Sequence, residues 1–557
     1  MFNFRRLFII FTALLILIGL PLWAGGSSSP SGSSGTPSTG NARVATPGSG
    51  GIALPIVSKP TTLSWFWEAD PKATAVIPSY DKMAYFIQME KLTGIKIDFL
   101  HPPVGQTNQQ IALMLSTNDL PDMVWYDWTR VPGGVAALLQ DGTLQNLTKW
   151  WAQYSPNIKK IYDGNADIKR EALMDDGTFY NYPKVKGAKS ICITTGMMIR
   201  ADWLKKVNLP PPSCIDDWYT VLKAFKTQDP NGNGNPNDEI PFVAVTPTPT
   251  GTTSPVYAFA LAWNLIFDDF STRDNGKTVV FGPTLPEYRE FVDTMRKWYA
   301  EGLIDPDYIS TNSQSLDAKI LGNIGGSFRA AVNGGMGRYF DTWIPEGKTT
   351  YDIMAVISPS LTPGGPHYSD VQAMTSVEGV AITGNNKFPT ESMQYLDYGY
   401  SPDGIILQNY GIEGQSYTMV NGQPKLTELI TKNPNGYPIM NALHLFNFSS
   451  SQGPGVQLED LFFQIAIYPR QVEAYKNWTD GINKINLPPF KLSVEDGARV
   501  SKIMGDVQTY VNEMVNKFVM GVEPMSGYDN FVKQLSSMNI QEAIALEQKG
   551  LDAFNAK

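Results

Sequence analysis

Between Thr61 and Tyr126 the chain alternates β-rich runs with helical ones, and this alternation restricts the folds open to it. Thr61–Glu68 (TTLSWFWE) follows a proline turn and reads as a strand. Ser79 heads a helix over Tyr80–Leu92, and Gly94 closes it. Ile95–Leu100 alternates as a second strand, Asn108–Ser116 is helical, and Asp122–Tyr126 is a third strand. Strand, helix, strand in this rhythm predicts a parallel sheet with crossover helices, hence an α/β class. The pattern restarts with a helix over Ile215–Lys226, a strand over Ile240–Val245 and a helix over Pro286–Ala300. A chain of 557 residues is too long for one ordinary core, so two α/β lobes are expected. The last third is mostly helical, with periodic stretches at 389–400, 458–480, 493–520 and 528–556.

Charge and composition exclude several function classes. The net charge of −9 argues against a nucleic-acid partner, which requires a basic surface. Two cysteines, Cys192 and Cys214, cannot form a disulfide scaffold or a four-cysteine zinc site, and whether they pair with each other is open. Three histidines, His101, His367 and His444, are scattered without a metal-binding spacing. Aromatic side chains are abundant: 13 Trp, 25 Tyr and 26 Phe supply material for flat binding surfaces.

Residues 1–24 read as a secretory signal. Arg5 and Arg6 precede the apolar run Leu7–Leu20, Pro21 breaks it, and Ala24 suits cleavage. The run is shorter than the roughly 20 residues of a membrane span. Residues 25–55 are rich in Gly, Ser, Pro and Thr and read as a linker. No cysteine follows the apolar run, so a lipobox anchor is absent; an exported protein, periplasmic or at the cell surface, is expected.

The most specific local signal is Asp229-Pro-Asn-Gly-Asn-Gly-Asn-Pro-Asn-Asp-Glu239. Oxygen-bearing side chains stand at loop positions 1, 3 and 5 (Asp229, Asn231, Asn233), with glycine at position 6. This spacing wraps backbone around a hard cation. Asn235 is placed to offer its carbonyl, and Asp238 and Glu239 to close the shell. The expected cofactor is a structural Ca²⁺. The bidentate Glu of a helix–loop–helix site belongs at position 12, where this chain has Ile240, and a polar Asn/Gly turn is the alternative.

Five stretches together resemble a known family: MEKLTGIKIDF (89–99), LPDMVWYDW (120–128), MIRADWLKKVNLPPP (198–212), DDWYTVLKAFKTQDPNGNGNPNDEIPF (216–242) and YGIEGQSYTMVNG (410–422). They are similar to extracellular solute-binding proteins of family 1, the substrate-capturing subunits of bacterial ABC sugar importers. The nearest branch includes alginate- and other complex-oligosaccharide-binding proteins, whose calcium loop has the form DPNGNGxxDEIP. This chain carries one extra residue between Gly234 and Asp238. The resemblance implies a periplasmic-binding-protein-like fold of two discontinuous lobes joined by a hinge. Residues 56–185 would begin the first lobe and 186–325 the second, with 326–385 returning to the first and 386–557 completing the second. It also implies a membrane permease as partner, and a monomer is expected.

Sugars offer apolar faces and hydroxyls, so a cleft for them needs aromatic platforms and planar polar groups but no catalytic residue. Strand C-termini in parallel sheets face the cleft. That rule selects Trp67 and Asp70 after the first strand, and Trp125, Tyr126 and Trp128 at the third. Glu413 lies in a Gly-rich turn, Trp263 in an apolar helix, and Arg329, Tyr339 and Trp343 in the return segment. Core packing is the competing role for each aromatic. The functional expectation is capture of an oligosaccharide without turnover. Capture of a peptide or other small solute is the alternative, and an exported glycan-degrading enzyme is the third reading, although no strand-end carboxylate pair supports it.

Overall fold

The computed structural model describes residues 48–235, 237–245, 259–448 and 453–556. The proposed signal segment lies outside them, as does most of the linker. Where the linker was expected to continue to residue 55, the chain is already folded. Ile52 is buried, the Gly48 carbonyl accepts from the Asp403 N–H at 3.2 Å, and the Ser49 carbonyl accepts from Asn157 Nδ2 at 3.3 Å.

The three strands expected at the start form as Thr61–Phe66, Ile95–Leu100 and Met123–Tyr126, with the first pairing in parallel to both others. The helix between the first two covers Ala84–Thr93 and ends on Gly94 at φ +78°, a left-handed conformation that glycine adopts without strain. These strands belong to a six-stranded sheet completed by Thr375–Ile382, Asn181–Lys186 and Gly455–Gln457. The strand Thr375–Ile382 inserts antiparallel between Met123–Tyr126 and Asn181–Lys186. Period-two alternation sends Leu63, Trp65 and Trp125 to one core and Phe66, Val124 and Tyr126 to another. Both faces of this first sheet are therefore covered, as parallel strands require.

A second sheet joins Ile353–Ala355, Thr195–Arg200, Gly325–Ala331 and Ile240–Phe242. The helices Ile215–Thr227, Pro286–Ala300 and Val494–Val519 pack into one core on it. The architecture is two α/β lobes with a helical C-terminal part.

Lobe membership differs from the expected boundaries. Within 326–385 only Thr375–Ile382 joins the first sheet, while Gly325–Ala331 and Ile353–Ala355 are second-sheet strands. The helices Pro389–Tyr398 and Pro402–Tyr410 bury Met393, Leu396 and Leu407 in the first-lobe core instead of completing the second lobe. Cys192 and Cys214 are buried free thiols. Among the described residues no helix is long and apolar enough to cross a membrane.

Candidate functional site

A cavity of about 690 Å³ lies between the lobes. The first lobe lines it with Thr129–Arg130, with Lys184 and Lys186 of the strand Asn181–Lys186, and with Ser376–Glu378. A register shift between Thr375 and Gly379 creates this last surface by lifting the intervening residues out of the ladder. The second lobe supplies Leu261, Asp268–Phe270, Arg329 and Glu547. Segments 370–373 and 486–493 complete the wall; they follow the paired short strands His367–Ser369 and Ile482–Lys484.

Of the ten ligand-binding residues expected from sequence, only Arg329 lines this cavity. Its guanidinium donates to both carboxylate oxygens of Asp370 at 3.0 and 3.1 Å. The other nine lie away from this cavity. Trp67 is fully buried among Trp65, Tyr80, Trp125 and Phe448. Tyr126 and Trp128 pack edge-to-face in the opposite core of the same sheet. Trp263 sits against Phe291 in the second-lobe core, and Tyr339 and Trp343 lie beneath the second sheet. The Tyr339 hydroxyl donates to Asp317 at 2.7 Å. Asp70 caps the short helix Pro71–Thr74, accepting from the Lys72 N–H at 2.8 Å. Glu413 is exposed in its turn, away from the cavity. Both faces of the sheet are filled, so the large side chains that the strand-end rule selects continue into the cores.

The cavity wall mixes charged side chains with apolar ones, Phe270 and Phe490 among them, and among the described residues no Trp or Tyr lines it. Sequence reasoning missed Lys184, Lys186, Lys491, Asp268, Asp269 and Glu547. Their only local signal is the PKVK alternation, which puts two lysines on one strand face. Burial pulls Lys186 and Lys491 down to about 8 and lowers Lys184. Desolvation also lifts the Asp269 carboxyl to about 6 and that of Glu547 to about 8, with the Asp269 charge adding to the rise at Glu547.

A second site is the loop at 229–239. Asp229 adopts φ +46° and accepts from the Gly232 and Gly234 N–H groups, both at 3.0 Å. Asn231 Oδ1 accepts from the Asn233 N–H at 2.9 Å, and Asn233 Oδ1 from the Asn235 N–H at 2.8 Å. The loop thus winds around its own side-chain oxygens. The amides of Asn231 and Asn233 donate to the two oxygens of Asp238 at 3.0 and 2.6 Å. Glu239 is buried, and among the described residues neither carboxylate oxygen has a partner in hydrogen-bond geometry, with the Asp229 carboxyl nearby. Burial, then the charges of Asp238 and Asp229, raise its pKa. Among the described residues no three Asp, Glu, His or Cys side chains assemble a metal cage, so a cation here depends on amide and carbonyl oxygens as well.

A model of the bacterial extracellular solute-binding proteins matches residues 73–406. The chain belongs to this family. It is a binding protein and not an enzyme. The fructooligosaccharide ABC transporter substrate-binding protein FusA of Streptococcus pneumoniae serotype 4 (strain ATCC BAA-334 / TIGR4) is 25% identical over 530 residues, 91% of this chain and 93% of FusA. The alginate-binding protein AlgQ2, solved without calcium ion, superposes with a TM-score of 0.74 at 25% identity, covering 90% of this chain and 100% of that one. An EF-hand mutant of S. pneumoniae FusA in complex with fructo-nystose gives a TM-score of 0.71 at 22% identity, covering 89% of this chain and 99% of that one. The two-lobe fold expected from the resemblance is thereby established.

Proposed function

We propose that this protein captures an oligosaccharide in the interlobe cavity and delivers it to the transmembrane permease of an ABC importer. The observation that carries the reading is the cavity itself, bounded by both α/β lobes of a chain that aligns with FusA along nearly its whole length. Its volume suits a small ligand held by a few polar groups. Hinge movement of the lobes about the segments near 370 and 490 closes the site, and the closed form is what the permease recognises. One observation favours the second reading, a peptide or other small solute: the walls are charged and lack Trp and Tyr platforms.

In the same reading Asp229, Asn231, Asn233, Asn235, Asp238 and Glu239 hold a structural Ca²⁺. The residues fit a hard cation, because Glu239 presents two buried, unpartnered oxygens beside two further carboxylates. The N-terminal 24 residues direct export, and the protein acts outside the cytoplasm as a monomer.

Thermal unfolding against neutral and acidic oligosaccharides and short peptides tests the function, and product analysis after long incubation checks turnover. Saturation at about a hundred times Kd adds about 2.7 kcal/mol to the folded state. A shift with a sugar that stays intact is expected. A shift with peptides alone, or hydrolysis of the sugar, contradicts the proposal.

A further inference from the structure

We infer that the captured oligosaccharide is an acidic one, and that its carboxylate docks on the Lys184 ammonium with Lys186 and Lys491 flanking it. The inference rests on the reading of the interlobe cavity as the sugar site and adds the charge of its ligand.

Among the described residues no carboxylate forms an ion pair with three enclosed cavity lysines, although Glu378 attracts Lys184 and Asp127, Asp175 and Glu171 attract Lys491 from farther off. Lys184 and Lys186 stand two residues apart on the strand Asn181–Lys186, so both present the same face. The Lys184 backbone is fixed by its N–H, which donates to Ser376 Oγ at 2.9 Å. Among the described residues the opposite charge acting on its ammonium is Glu378, which attracts it without forming an ion pair. The Lys186 ammonium is buried and donates to the Ile191 carbonyl at 2.9 Å and to the Gln372 side-chain oxygen. Lys491 is buried too, and donates to the carbonyls of Pro489 at 2.9 Å and Glu171 at 3.4 Å. Carbonyl dipoles orient these ammonium groups but do not neutralise them. The two arginines on the wall differ, since Arg329 is clamped by Asp370 and Arg130 Nε donates to Asp127 Oδ2 at 2.9 Å.

Closure around a ligand removes water from this wall. A buried ammonium without counter-charge is costly, whereas one that meets a carboxylate forms the stronger, charge-assisted kind of hydrogen bond. A neutral sugar fills the cavity and leaves the cost in place; an acidic sugar cancels it. The opposite wall fixes the direction. Asp268 and Asp269 from the second lobe repel a carboxylate and turn it toward the lysines, while they bind hydroxyl groups. The raised value of Glu547, about 8, keeps it largely protonated near neutral pH and able to donate to sugar oxygens, while Asp269, at about 6, stays largely ionised.

Calorimetry of the full chain with trigalacturonate, its methyl ester and neutral kestose tests the inference. Trigalacturonate is expected to bind about tenfold or more tighter than the other two. Its affinity is expected to fall with added salt while that for kestose does not. Lys184→Gln is expected to erase the preference with the circular dichroism spectrum unchanged, and Lys491→Gln carries the same test if Lys184→Gln misfolds. Kestose or the ester binding as tightly as the acid overturns the acidic ligand and leaves oligosaccharide capture standing. A preference retained in both variants overturns the lysine dock. Absence of binding by any saccharide, acidic or neutral, overturns the capture reading and this one with it.

Discussion

Replacing Trp67 by Ala separates a core role from a ligand platform. The indole is fully buried, with ring centroids of Tyr80, Trp65, Phe448 and Trp125 at 4.8, 5.2, 5.4 and 5.8 Å. A tryptophan buries roughly 150–250 Å², or about 4–6 kcal/mol of transfer free energy at about 25 cal/mol per Å². Partial collapse of the cavity left behind brings the expected loss to about 3–5 kcal/mol. Trp67→Phe should cost less, about 1–2 kcal/mol, because among the described residues the indole N–H has no partner and its removal relieves a desolvated donor. Urea unfolding followed by circular dichroism reads both losses, and calorimetry on the folded variants reads sugar affinity. Both variants should lose stability in that order and bind with wild-type affinity. Trp67→Ala with native stability and no sugar binding would refute the packing account and restore Trp67 as a platform.

Three further outcomes are expected. Glu239→Gln should be more stable than wild type in chelator, since an unpartnered buried charge is gone, and should lose the calcium-dependent gain of about 2.7 kcal/mol at a hundred times Kd; thermal unfolding with calcium and with chelator checks both, and an equal calcium shift in the variant contradicts the site. Desolvation brings Lys186 and Lys491 from 10.5 to about 8, with Lys184 and the Cys192 thiol facing the first and Asp127, Asp175 and Glu171 the second. Both ammonium groups are therefore charged below that value and neutral above it, so trigalacturonate affinity by calorimetry should fall from about pH 7 to about pH 9 while kestose affinity holds. Gly326→Ala would place a Cβ 2.6 Å from Phe225 Cδ2 and 2.8 Å from Trp203 Cζ3, so overpacking should cost the second lobe about 1–3 kcal/mol in urea unfolding.

Local order was legible where capping and periodicity agree. The strands near 61, 95 and 123 and the helices at 215 and 286 lie close to their expected bounds. Long helical stretches were over-extended where one residue interrupts them. Pro469 starts a new helix inside 458–480, and Asn539, at φ +64°, splits 528–556. Lobe membership was not legible, because it depends on which distant strand pairs with which. Nothing local to Thr375–Ile382 announces an antiparallel place between Met123–Tyr126 and Asn181–Lys186. The residues lining the cavity were not legible for a related reason. Trp and Tyr supply both platforms and cores, and only the cover on both sheet faces tells which role Trp67 or Trp128 takes. The calcium-like loop was legible because its side-chain-to-backbone bonds span only a few residues.

Capture between the lobes is tested most directly by hydrogen–deuterium exchange with and without a bound oligosaccharide. Slower exchange is predicted at 129–135 and 375–378 of the first lobe, at 261–270 of the second, and in the linking segment 486–493. Protection confined to one lobe, or lying outside these segments, would contradict an interlobe site.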